Sequence, residues 1–174
     1  MVICYWLLGM RKCLRAGVVA IAITAIACAQ PNGPDPIATE IPIQRFRAEP
    51  YAFEFFSGLD QPERLLIRDT AAWSDVWSRI YARRGEQPPL PAVDFAAETI
   101  VVVALGIRPT SGYSITVKNA SRAGGVTTVG VESVSPGAGC GGLTATTQPV
   151  DIAKIPRSAG FVQFEETAIV RNCG

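Results

Sequence analysis

The sequence predicts an α+β domain, mainly antiparallel β and sandwich or barrel-like, with one amphipathic helix packed on the sheet. Two observations lead there. Short runs rich in Val, Ile and Thr recur after residue 98 with turn signals between them, the pattern of many short strands. Only one stretch, from residue 69 to residue 85, carries a clear helical period, so a β layer with a single helix laid on it is the arrangement that buries both.

The N-terminal segment is expected to stand outside that domain. Arg11, Lys12 and Arg15 precede the apolar run AGVVAIAITAIA, residues 16–27, which is too short to span a bilayer but suits the core of a signal peptide. Small residues lead directly into Cys28, and the tract resembles a bacterial lipoprotein signal in which this cysteine is lipidated. An ordinary cleaved signal or an uncleaved anchor is the alternative, and Met10 offers a tidier start than Met1. In each case an exported protein is expected, and with the lipoprotein-type signal it is held in the bacterial cell envelope by lipid at Cys28. Removing residues 1–27 leaves 147 residues, enough for one domain that buries roughly two-thirds of its unfolded surface. Those residues carry 13 basic against 15 acidic groups, a net charge of −2, so no basic field exists to attract nucleic acid. Residues 28–40, with AQPNGPDPIATE after the cysteine, read as a Pro-rich tether to a domain over 41–174. Once the signal and Cys28 are set aside, Cys140 and Cys173 form an even pair in an oxidising compartment. They are expected to be bonded, two free thiols being the alternative.

Strands are expected at Ile41–Arg47, at Tyr51–Ser57, where Tyr51, Phe53 and Phe55 alternate with their neighbours, and at Glu63–Arg68. A helix follows, capped by Asp69 or Thr70 and ended by Gly85. Trp73, Val76, Trp77, Ile80 and Tyr81 recur on one face of it. That stripe is expected to pack on the sheet rather than to offer a ligand platform. QPPLPAVDF is an extended connector, because its prolines forbid helix. Thr99–Ile107 (TIVVVALGI) reads as a central strand, and Tyr113–Lys118, Val126–Val134, Leu143–Ile155 and Phe161–Val170 complete the set.

Few residues could carry catalysis. The chain has no histidine, which removes Ser-His-Asp and Cys-His chemistry and the commonest neutral-pH general base. Glu165 and Glu166 are adjacent, so in a strand they point to opposite faces and form a solvated rim. Asp94 has no evident partner. Arg83 and Arg84 suit the negative end of the helix dipole. Gly137, Gly139 and Gly142 satisfy G-x-G-x-x-G, but LTATTQPVDI follows as a strand where a dinucleotide site needs a helix. Those glycines fold the backbone tightly around Cys140 instead. No cofactor and no small-molecule substrate are expected, and the protein is read as non-catalytic. The loop Arg108-Pro109-Thr110-Ser111-Gly112-Tyr113 has a plain reading, a hairpin turn between Thr99–Arg108 and Tyr113–Lys118. Its sharper reading is a rigid contact element for a protein partner.

Several motifs occur together, in order. They are the Trp73/Trp77 helix, Pro91–Phe95 (PAVDF), the strand ending in Leu105-Gly106, Arg108–Ile115 (RPTSGYSI), Ser135–Cys140 (SPGAGC) and Thr147–Val150 (TQPV). In this, residues 57–155 resemble the C-terminal domain of the PrcB family of protease-complex subunits. The resemblance implies an exported, often lipid-anchored protein without established catalytic residues. The partner it implies is a secreted protease or its complex, which the subunit would associate with and stabilise. RPTSGY alone is similar to the Asn-Pro-Thr-Thr-Gly-Tyr loop of chagasin-type peptidase inhibitors, with Arg108 in place of Asn and Ser111 in place of Thr. Peptidase inhibition through residues 108–113 is therefore the second functional expectation.

Overall fold

The computed structural model describes residues 37–46 and 56–173. The signal segment, Cys28 and most of the expected strand Tyr51–Ser57 lie outside the described residues. Among those described, strands β1 (Thr39–Glu40), β2 (Gln44–Arg45) and β3 (Pro62–Ile67) precede helix α1 (Thr70–Tyr81). Five long strands follow: β4 (Glu98–Leu105), β5 (Ser114–Ala123), β6 (Val126–Pro136), β7 (Val150–Pro156) and β8 (Val162–Arg171). They build two four-stranded sheets, ordered β1-β5-β6-β8 and β2-β7-β4-β3. The result is a sandwich that does not close into a barrel, mostly antiparallel, with α1 on one outer face.

β4 explains the layering. Seven of its eight residues are buried, and a strand buried on both faces reads as a continuous apolar run. Ile100, Val102 and Ala104 join the core beneath α1 with Trp73, Val76, Trp77 and Ile80. Val101, Val103 and Leu105 join the core between the sheets with Ile115, Val117, Val129 and Val131. The helix is set by sequence as expected: Asp69 caps it by accepting from the Ala72 amide at 2.8 Å, and the five residues of the apolar stripe are its buried ones. It ends at Tyr81 with Ala82 as C-cap, earlier than Gly85. Trp73 and Trp77 are 1% and 0% exposed. Their indole N–H groups donate to the carbonyls of Pro91 and Pro88, each at 3.0 Å, which laces the proline-rich connector over the helix.

Four strand expectations change. Of the expected strand Ile41–Arg47, the described residues 41–46 are not one strand. β1, from the segment read as tether, pairs with β5, and β2 pairs with β7, so the chain changes sheets between them. The segment from Leu143 to Ile155 forms a strand only from Val150, because the preceding residues pair by single bridges to loops. β6 and β8 run parallel, since the intervening β7 lies in the opposite sheet. The expected hairpin between β4 and β5 is also absent. Both flanks of β4 are occupied by β3 and β7, so β5 takes its place in the other sheet.

The two sheets are joined along both sides. On one side Asp151, 3% exposed, accepts from the Val117 amide at 2.8 Å and pairs with Arg45 at 3.5 Å. The Arg45 guanidinium also donates to the Val117 carbonyl. On the other side Arg64 of β3 grips Glu166 of β8 through two hydrogen bonds of 2.6 and 2.9 Å.

Candidate interaction site at one end of the sandwich

Residues 106–113 are thus a crossover between sheets, and they lie at one end of the sandwich. Two glycines bracket the loop. Gly106 has φ +72°, and a Cβ there would sit 2.7 Å from the Asp60 carbonyl oxygen, so no other residue fits without backbone movement. Gly112 has φ +94° and lies over Pro136 at ordinary contact distance.

The loop is stitched to the Gly-rich segment after β6. Arg108 and Thr147 exchange backbone hydrogen bonds of 2.8 and 2.9 Å. The Thr147 hydroxyl donates to the Thr110 carbonyl at 3.1 Å. The Ser111 amide donates to the Leu143 carbonyl at 3.1 Å, and Ser111 Oγ accepts from the Leu143 amide at 3.0 Å. A disulfide joins Cys140 to Cys173, 33 residues apart, and the Gly137 amide donates to the Arg171 carbonyl at 2.8 Å. The contact loop and the cysteine pair, separate features in the sequence, therefore form one cross-linked frame.

That frame holds apolar surface in the open. Among the described residues, Phe56, Ile107, Leu143, Ile169 and Val170 are large apolar side chains between 41% and 75% exposed. Each is tied to the frame: Phe56 bridges to Gln148, beside Thr147; Ile107 precedes Arg108; Leu143 bonds Ser111; Ile169 and Val170 pair with Val134 and Ser135. A cavity of about 140 Å³ opens among Leu105, Arg108, Tyr113, Ser135 and Ile169. A second, of about 210 Å³, lies between the loop and the disulfide and has Arg171 in its wall. The Arg108 guanidinium sits 5.9 Å from the centre of the Tyr113 ring, within cation–π range. Such a surface, apolar with two guanidinium groups at its margin, is suited to recognising a protein.

Sequence reasoning singled out Arg108–Tyr113 and paired Cys140 with Cys173, as the structure does, but passed over the exposed Phe56, Ile107, Leu143, Ile169 and Val170. An apolar residue in a strand or turn reads as core, and only the tertiary arrangement leaves these uncovered. Glu165 and Glu166 are both exposed, and Glu166 is engaged by Arg64.

No curated protein and no solved structure matches the chain. The family described as PrcB C-terminal matches residues 99–156. The match spans β4 to β7 and includes the loop 108–113, Cys140 and Thr147–Val150, while the tryptophan helix and the PAVDF connector precede it. Over residues 99–156, about a third of its length, the chain is therefore similar to the PrcB C-terminal family.

Proposed function

We propose that this protein is an exported, lipid-anchored, non-catalytic subunit that associates with a secreted protease complex and stabilises it. The family that residues 99–156 match suggests a protease-complex-associated subunit. The observation that carries the reading is the cross-linked end that holds Phe56, Ile107 and Leu143 in the open beside Arg108. Exposed large apolar side chains held on a rigid frame suit a protein-binding site, whose energy concentrates in a few anchors. The lipid at Cys28 would hold the domain at a membrane surface beside its partner, with no nucleic acid involved.

The test uses the chain expressed with its signal in a host that carries the protease. Co-purification of an active protease supports the reading. A Leu143→Asp variant that remains folded should capture about tenfold less of it. Loss of peptidase activity on addition of the protein would favour the inhibitor reading through Arg108–Tyr113 instead, and neither effect would remove both. Mass spectrometry of the mature N-terminus tests the anchor, and an unmodified Cys28 or cleavage elsewhere would overturn that part.

A further inference from the structure

Three of the four sheet edges are blunted. β1 and β2 are two residues long, and β3 is short and begins at Pro62. β8 differs. It is a ten-residue edge strand without proline or lysine, paired with β6 over ten consecutive positions without a register shift. From Glu165 to Arg171 every residue is exposed. A long, regular edge leaves alternate backbone N–H and C=O groups ready to accept another strand whose charges match its own Glu165, Glu166 and Arg171.

We infer that β8 pairs with β8 of a second copy of this chain, antiparallel about a two-fold axis at Ala168, which joins the two outer sheets into one. The charges argue for the occupant and the register. The period of two puts Glu165, Thr167, Ile169 and Arg171 on one face. No ion pair of Glu165 or Arg171 occurs among the described residues. In an antiparallel pairing centred on Ala168, Glu165 lies opposite Arg171 of the second copy, twice by symmetry. Ile169 then lies opposite Thr167, and Val170 opposite Glu166, so the two exposed apolar side chains of the strand gain cross-strand neighbours. The sequence is thus self-complementary about its own centre. This pairing shares Ile169, Val170 and Arg171 with the exposed end described above, but it does not rest on the proposed function, whose anchors Phe56, Ile107 and Leu143 are not on β8.

Sedimentation equilibrium of the purified chain, disulfide intact, tests it. The wild type is expected to form dimers, with the β8 amides protected from hydrogen exchange on association. Glu165→Arg and Arg171→Glu each set like charges opposite one another and should weaken self-association about tenfold. Mixing the two variants restores both opposite-charge pairs, so the heterodimer should form with wild-type strength. A wild type that stays monomeric would overturn the proposal and leave the edge to a foreign strand. It is equally overturned by association that leaves the β8 amides unprotected, or by single reversals that dimerise as tightly as the wild type.

Discussion

Asp151 shows how one buried charge organises its surroundings. It takes the Val117 amide and the Arg45 guanidinium together, in a position 3% exposed. Asp151→Ala would leave the Val117 amide without its acceptor and the half-buried Arg45 without its counter-charge, so a loss of about 2–4 kcal/mol is expected. Asp151→Asn keeps an acceptor for the amide and should lose less than half as much. Urea unfolding followed by tryptophan fluorescence measures both. The role was not readable from VDIAKI, where an aspartate between apolar residues looks like an outward position. Its partners come from β2 and β5, far away in sequence. Gly106 makes the opposite case, since its turn signal is local but the reason for it is not. Gly106→Ala meets both a left-handed φ and the backbone of Asp60–Pro62, and should cost at least about 3 kcal/mol. Gly112→Ala meets only the dihedral penalty, about 1–2 kcal/mol. Equal losses at the two sites, measured by the same unfolding curves, would contradict this account.

The end of helix α1 at Tyr81 falls short of the Gly85 signal, but its start and its buried face were legible because its cap and its stripe are both local patterns. The partner of each indole was not, since nothing in PPLP marks a carbonyl as an acceptor. Trp77→Phe removes the donor to Pro88 and leaves a void in a fully buried site, with an expected cost of about 1–3 kcal/mol. The freed connector over residues 86–95 should then be cut faster in limited proteolysis. Strand β4 follows from its continuous apolar run and β5 and β6 from their alternation, whereas β1 and β2 do not follow, because two-residue strands carry no period. The disulfide acts at the same scale. It closes a long loop, and replacing both Cys140 and Cys173 by Ser should cost about 3–4 kcal/mol in the chain-entropy model. Loss should centre on the end of β8 and the loop 137–147, read as faster hydrogen exchange there while α1 stays protected.

At the scale of the whole molecule, the two sides of the sandwich are joined by bridges of unequal weight. Glu166 is 47% exposed at its side chain, and an ion pair so open to solvent contributes little. Glu166→Gln should change stability by less than about 1 kcal/mol, against the larger loss at Asp151, and the two effects should add. Urea midpoints of the single and double variants check this. The sandwich could be anticipated from strand spacing, but the pairing of β6 with β8 could not, because it joins segments separated by a strand of the other sheet. That pairing has a consequence in time. A chain made from its N-terminus has residues 106–113 in hand long before residues 162–173 exist. Until β8 lies along β6, Gly137 lacks its acceptor at Arg171 and Cys140 has no thiol to join. Strand β8 therefore sets this end of the sandwich late: until residues 162–173 lie along β6 and Cys140 is joined to Cys173, the loop 137–147 lacks two of its ties.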